Sequence, residues 1–279
     1  MAAGTGTLSA MSTILEAYQR DGYYIARHLF SAADVTAITT RFDEIANGPD
    51  IPGYWVPDRS PEAAGDPLKR FPRVMMPHRF DDLSKRYLLD QRIRIVLREL
   101  LGEEPVAAQS MFYFKPPGAR GQAMHQDNFY LKVKPTTCIA AWVAIDPARP
   151  ANGGMFVVPG THDLEIVCPE EADSTESWTT HLVRAPKNKK AVAAEMEPGD
   201  CLFFNGSVIH GSGPNRHATL WRRSFICHYL PASSTHIHKG YHPLLDFDGN
   251  VVACAASDDG GPCGEGVDTG KYGSYGKWH

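Results

Sequence analysis

The stretch MHQDNFYLKV places an imidazole at His125 and a carboxylate at Asp127, two residues apart. On a strand, side chains alternate between faces, so these two share one face and Gln126 points away. Such a pair can fill two adjacent positions around an octahedral metal. A third ligand from a distant strand then completes one triangular face. His210, which follows GDCLFFNGSVI and precedes the turn GSGPN, is the best-placed third ligand. Two imidazoles and one carboxylate leave three positions open, which suits non-haem Fe(II) that must hold a cosubstrate and O2. Each piece alone has a bland explanation: H-x-D recurs by chance, and a lone histidine in an apolar run is commonly a packed core residue. The neighbours strengthen the case. A downstream run opening Arg222-Arg223-Ser224 supplies a guanidinium fork suited to the distal carboxylate of a dicarboxylic acid. Lys115, in FYFKPPG, can add a second cationic contact.

The elements that must position these groups fall into two textures. Residues 11–21 and 31–47 carry helical periodicity, the second opened by Ser31 as N-cap, with GYYIARHLF between them as a short strand. Residues 48–80, rich in Pro, Gly and aromatics, have no period and are expected to form a long loop, of the kind used as a lid. Helix returns over 81–101 and stops at Gly102. From about residue 105 the chain becomes short β-branched or aromatic runs, AAQSMFYFK, TTCIAAWVAI, GGMFVVPG, GDCLFFNG and RRSFICHYL, bounded by Gly, Pro and Asn. No crossover-length helices separate them. The expected fold class is α+β, mainly β: a double-stranded β-helix (jelly roll, cupin-like) core with N-terminal helices packed on it. The expected organisation is one domain over 1–279, with N-terminal helical elements at about 11–101, the core at about 105–231 and a loop-rich extension at 232–279.

Bulk properties set the surroundings. Apolar residues make up 43% of the 279 and charged residues 22%, ordinary values for a globular protein. A net charge of -4 gives no pull toward nucleic acid. No apolar run is long enough to span a membrane, and the start lacks the pattern of a secretory signal. The six cysteines are scattered without a C-x-x-C pair, so buried free thiols in a cytoplasmic protein are expected, and the metal should be held by nitrogen and oxygen.

The ordered set Gln109…Lys115-Pro-Pro-Gly, His125-Gln-Asp127, Trp142, Asn152-Gly-Gly, Val158-Pro-Gly-Thr-His162 and His210-Gly-Ser-Gly-Pro-Asn215 followed by Arg222 resembles the phytanoyl-CoA dioxygenase family of 2-oxoglutarate oxygenases. The resemblance runs from about Gln109 to Tyr229. It implies that His125, Asp127 and His210 bind Fe(II), and that Arg222 and Ser212 hold the far carboxylate of 2-oxoglutarate with Lys115 close by. It implies the reaction too: O2 and 2-oxoglutarate are consumed, succinate and CO2 released, and a substrate C–H hydroxylated or otherwise oxidised. In related halogenases a small residue replaces the carboxylate, so Asp127 argues against halogenation. The gap from His210 to the arginine is one residue longer than the family's usual spacing, which leaves Arg223 as an alternative to the preferred Arg222.

Trp142 is expected to flank the cosubstrate, and Gln109, Tyr113 and Phe129 to contact a small-molecule substrate. His162 reads as a structural turn residue. The H-x-H at His236 and His238, with His242 nearby, superficially mimics a cupin metal site but reads better as a polar loop cluster. Tyr54, Trp55, Arg73, Met75, Met76 and His78 could form a lid, and the second long connection, 163–190, carries Trp178 and the basic run Lys187-Asn-Lys-Lys190. The rival readings are a non-catalytic jelly-roll binding protein and a cupin-type metalloenzyme that does not use 2-oxoglutarate. The partners expected are a small-molecule substrate, no nucleic acid and no membrane, with the chain acting as a monomer or homodimer.

Overall fold

A computed structural model describes residues 5–257, with side chains from Thr13 onward. The C-terminal tail expected to be loop therefore lies, from residue 258, outside the described residues. The larger sheet runs, in spatial order, β1 (Tyr23–Ala26), β10 (Cys201–Asn205), β5 (Ile139–Ala144), β12 (Ser224–Pro231), β3 (Pro105–Tyr113), β14 (Leu244–Leu245) and β15 (Val251–Val252). A short β2 (Val74–Met75) also pairs with β3. The smaller sheet is β4 (Gln122–His125), β11 (His210–Ser212), β6 (Met155–Val157) and β9 (Val192–Ala194). Two ribbons complete the strands: β7 (Glu170–Glu171) with β8 (His181–Leu182), antiparallel, and β13 (His236–His238) with β16 (Ala255–Ser257), parallel. All pairings within the two main sheets are antiparallel. The two sheets face each other as the jelly roll expected from the strand texture.

Of the helices α1 (Thr5–Asp21), α2 (Ala32–Asn47), α3 (Pro67–Arg70), α4 (Asp82–Leu88), α5 (Gln91–Leu101) and α6 (Asn128–Leu131), α1, α2, α4 and α5 fall where the sequence signals helix, whereas α3 and α6 fall in stretches read as loop and strand. Ser31 caps α2 as expected, in a reciprocal box with Asp34. The single helix read over 81–101 is instead two, because Asp90 leaves helical geometry to cap the Arg92 amide and starts α5 afresh. Residues 48–80 are not a bare loop: they hold two 3₁₀ turns, α3 and β2.

Alternation along the central strands creates two different faces. Phe112, Val143, Phe203, Phe225 and Cys227 point outward, where α2 and α5 cover them, and Phe42 of α2 stacks on Phe112 with ring centroids 3.9 Å apart. The opposite face carries Met111, Trp142, Phe204 and Ile226 toward the smaller sheet. With both faces buried, these strands read as nearly continuous apolar runs. The polar side chains on the inner face are therefore exceptions, and they mark the site.

The thiols follow the expectation with one correction. Cys138, Cys201 and Cys227 are buried and free, and Cys254 is free and half-buried. Cys168, however, is disulfide-bonded. Absence of a C-x-x-C pair does not exclude a bridge between cysteines distant in sequence.

Candidate active site

β4 and β11 are hydrogen-bonded neighbours in which His125 and His210 sit directly opposite each other. Their rings lie 4.2 Å apart, centroid to centroid. Asp127 reaches the same point by a route other than the expected strand alternation. β4 ends at His125, and Asp127 has helical dihedrals (φ -62°, ψ -35°) as the N-cap of α6. The helical turn swings its carboxylate back, so Oδ1 lies 3.3 Å from His125 Nε2 and 3.6 Å from His210 Nε2. One ligand atom from each residue falls within 4.8 Å of the other two, and all three residues are buried. Gln126 is fully buried on the other side, its amide held by the carbonyls of Ser207 and Glu165.

The imidazoles are oriented for a ligand. His125 Nδ1 lies 2.8 Å from the Ala123 carbonyl and His210 Nδ1 lies 2.9 Å from the Val208 carbonyl. A carbonyl can only accept, so Nδ1 carries the proton in each ring and Nε2 keeps its lone pair. Burial pushes the His210 pKa down to about 4, against the pull of the Asp127 charge, so the ring is neutral at neutral pH. Burial opposes ionisation of Asp127, yet the neighbouring histidines, with the His228 N–H donating to its Oδ2, hold its pKa well below the usual carboxylate range. Two imidazole nitrogens and one carboxylate oxygen form a donor set that fits Fe(II).

Asp127 has a further partner: His228, buried on the inner face of β12, donates from Nε2 to Asp127 Oδ2 at 2.9 Å. The carboxylate thus turns one oxygen to His228 and the other to the two imidazoles. Among the described residues His228 Nδ1 is buried without a hydrogen-bond partner.

These groups open onto a cavity of about 360 Å³ between the sheets. Inner-face alternation supplies its floor: Gln109, Met111 and Tyr113 from β3, Trp142 from β5, and Ile226 and His228 from β12 all line it. Arg222 lines it too, with Nε 3.1 Å from the Gly153 carbonyl, Nη1 2.7 Å from Ser224 Oγ and the guanidinium 5.2 Å from the Trp142 ring centre. Arg223 faces the opposite way and forms an ion pair with Asp146 at 2.8 Å. Lys115, in an adjoining lobe, donates to Ser212 Oγ at 2.8 Å and to the Gly153 carbonyl at 3.1 Å. Gly153 is suited to this double approach: its φ is +77°, and a Cβ there would meet Lys115 Cε at 2.7 Å. Burial, then the Arg222 charge, pushes the Lys115 ammonium well below its ordinary pKa, and burial lowers Arg222 to about 10. Among the described residues neither cation has a carboxylate within ion-pair distance.

The sequence profile of the phytanoyl-CoA dioxygenase (PhyH) family matches residues 18–224. The chain belongs to the phytanoyl-CoA dioxygenase family. Phytanoyl-CoA dioxygenase 1 of Oryza sativa subsp. japonica is 29% identical over 147 residues, covering 50% of this chain and 52% of that protein. The peroxisomal phytanoyl-CoA dioxygenase of Homo sapiens is 25% identical over 232 residues, covering 79% of this chain and 68% of that one. Several of the matches thus span about half the length of the relative concerned. Among solved structures, EctD from S. alaskensis with 2-oxoglutarate and 5-hydroxyectoine superposes with a TM-score of 0.64 at 21% identity, covering 84% of this chain and 80% of that one. The epimerase SnoN with Fe3+, alpha ketoglutarate and nogalamycin RO gives 0.64 at 22% identity, covering 82% and 86%. At that identity the likeness establishes the fold.

In this PhyH-family chain the jelly roll brings together nine of the ten expected site residues. Phe129 is the correction. It does not line the cavity; its ring packs edge-on against Tyr130 and His181, 5.2 Å and 5.5 Å away centre to centre. The turn of α6 gives the cavity position to Tyr130 instead. Of the six lid candidates, Arg73 and Met75 line the cavity, whereas Trp55, Met76 and His78 are buried in packing and Tyr54 packs on Phe80. Trp178 of the second connection lines the cavity, but the lysine run does not. His236 is exposed and bonded to Thr235, and His238 caps the Gly240 amide; neither joins a metal-competent group among the described residues. His162 contacts the Gln19 carbonyl, a structural role. Sequence reading missed His228, although alternation from Ser224 through Ile226 marks it as inward-facing.

Proposed function

We propose that this chain is an Fe(II)- and 2-oxoglutarate-dependent oxygenase that hydroxylates, or otherwise oxidises, an unactivated C–H of a small molecule. The observation that carries the reading is the pairing of two features on two adjoining pockets: an N,N,O metal triad and, beside it, two buried basic side chains without a carboxylate partner among the described residues. Burying unpaired charge is costly, so such a pair is retained for an anion that arrives. Bound Fe(II) with 2-oxoglutarate supplies an oxidant derived from O2, with succinate and CO2 as coproducts. His125, Asp127 and His210 hold the metal. Arg222, Ser212 and Lys115 hold the far carboxylate of 2-oxoglutarate, with Trp142 beneath the guanidinium. Gln109 and Tyr113 line the cavity and face the substrate.

The whole chain, 1–279, is read as one oxygenase domain. Among the described residues no helix is long and apolar enough to cross a membrane. A cytoplasmic setting rests on the three buried free thiols, with the bonded Cys168 counting against it, and a monomer or homodimer suffices because one chain supplies the whole site. The test is turnover: purified protein with Fe(II), ascorbate and 2-oxoglutarate should release succinate slowly without substrate. Iron binding with no succinate would favour the cupin-type alternative, and no iron binding the non-catalytic one.

His228 gives a second expectation. By holding Asp127 Oδ2 it leaves a single oxygen for the metal, keeping positions open for the cosubstrate. Partners of this kind are typically worth 10–100-fold in metal affinity. His228→Leu should weaken Co(II) binding, measured by equilibrium dialysis, by about that factor, and His228→Gln, whose amide can still donate, should recover most of it. Equal loss in both variants would make the histidine merely a packing residue.

A further inference from the structure

Several arginines packed against the fold are paired with acids, whereas those facing the cavity are not. Arg27, Arg41, Arg92, Arg120 and Arg223 each meet a carboxylate at 2.6–2.8 Å. The two that line the cavity, Arg222 and Arg73, have no such partner among the described residues. Arg222 is accounted for by the proposed cosubstrate. Arg73 is not.

Arg73 stands immediately before β2, whose pairing of Val74 with Phe112 and Met75 with Met111 fixes its backbone to the cavity floor. Its guanidinium carbon lies 4.4 Å from the centre of the Trp178 ring, so the two long connections meet here. Nη1 donates to the Tyr113 hydroxyl at 3.3 Å, and no other hydrogen bond engages the fork among the described contacts. The group is therefore held in place with donor edges free. Its charge acts on Tyr130 and Tyr241, both on the cavity wall. Asp127 is the one carboxylate lining that wall among the described residues. With the site loaded, the far carboxylate of 2-oxoglutarate answers Arg222 and Lys115, and its other carboxylate and Asp127 answer the divalent iron, which leaves nothing among the described residues to answer Arg73. Positive charge remains at the place where substrate enters.

Resting on the oxygenase reading, we propose that the substrate carries an oxyanion, a carboxylate or a phosphate, and that Arg73 is its anchor. A guanidinium fork matches either group with two parallel hydrogen bonds. The 360 Å³ cavity is at the small end for ligand sites and is shared with the cosubstrate, so the part of the substrate held inside it is compact.

Full-length protein loaded anaerobically with Fe(II) and 2-oxoglutarate tests this with four probes: benzoate and phenyl phosphate, and their neutral counterparts benzamide and phenol. Dissociation constants come from calorimetry while the visible charge-transfer band is followed. At least one acid should bind about tenfold or more tightly than its neutral partner, the size of a charge-assisted hydrogen bond. Which acid does so separates carboxylate from phosphate. In Arg73→Gln the preference should fall to within about threefold with the band intact, and Arg73→Lys should keep part of it. Equal affinities in the wild type, or a preference that survives Arg73→Gln, would overturn the assignment. So would an acid that displaces 2-oxoglutarate and bleaches the band, since it would be sitting on Arg222 and Lys115. If the band never forms in the wild type, the oxygenase reading fails first and this proposal falls with it.

Discussion

Asp127→Ala is expected to lower Fe(II) affinity by well over 100-fold and to reduce succinate release below detection. The magnitude follows from position. Substituting groups that merely orient ligands costs 10–100-fold, and Asp127 supplies the donor oxygen itself, 3.3 Å and 3.6 Å from the two histidine nitrogens. It is also the single negative charge of the triad, so its loss leaves a divalent ion facing two neutral imidazoles. Removing it strands the His228 donor, at a cost of about 1–3 kcal/mol in folding stability. The near-UV circular dichroism and thermal midpoint of the metal-free variant must therefore be recorded beside the binding isotherm. A folded variant that still binds Fe(II) within tenfold of the wild type would remove Asp127 from the coordination sphere.

The second large effect separates the two adjacent arginines. Arg222→Ala should raise the dissociation constant for 2-oxoglutarate by roughly 30-fold or more, the lower end of the cost of removing one partner of a buried charged contact. Fe(II) binding in the absence of 2-oxoglutarate should be unchanged, because Arg222 touches Gly153, Ser224 and the Trp142 face rather than the triad. Arg223→Ala should leave 2-oxoglutarate affinity within about threefold. Its cost is structural, about 1 kcal/mol, because its partly exposed fork grips Asp146 on the outer side of the sheet. The reverse pattern, with Arg223 governing cosubstrate affinity, would contradict the orientation of this strand entrance.

That ambiguity between Arg222 and Arg223 shows how much was legible in the residues. Spacing from His210 left both open, but alternation decides it: Arg222, Ser224, Ile226 and His228 share the inner face, and Arg223 goes out with Phe225. The same period exposes His228, hidden because a histidine in SFICHYL carries no motif. The triad was readable because its types and order are chemically specific, even though the local geometry was misjudged. A strand and a helical turn can both place residues two apart toward one point, and the chain takes the turn at Asp127. That turn also exchanges Phe129 for Tyr130 at the cavity. The break between α4 and α5 was missed because the apolar period runs through Asp90, whose capping role depends on φ and ψ. Least legible was the meeting of Arg73 with Trp178, which joins two long connections without period and is decided wholly by tertiary packing.

The central claim is that this triad binds Fe(II) and, with it, 2-oxoglutarate. The direct measurement is anaerobic titration of the metal-free protein with Fe(II) and then with 2-oxoglutarate, watched in the visible region. The account predicts a charge-transfer band that appears only when both are present, fails to form in Asp127→Ala, and needs much higher 2-oxoglutarate in Arg222→Ala. Well-folded protein that binds Fe(II) yet shows no band at saturating 2-oxoglutarate would contradict it.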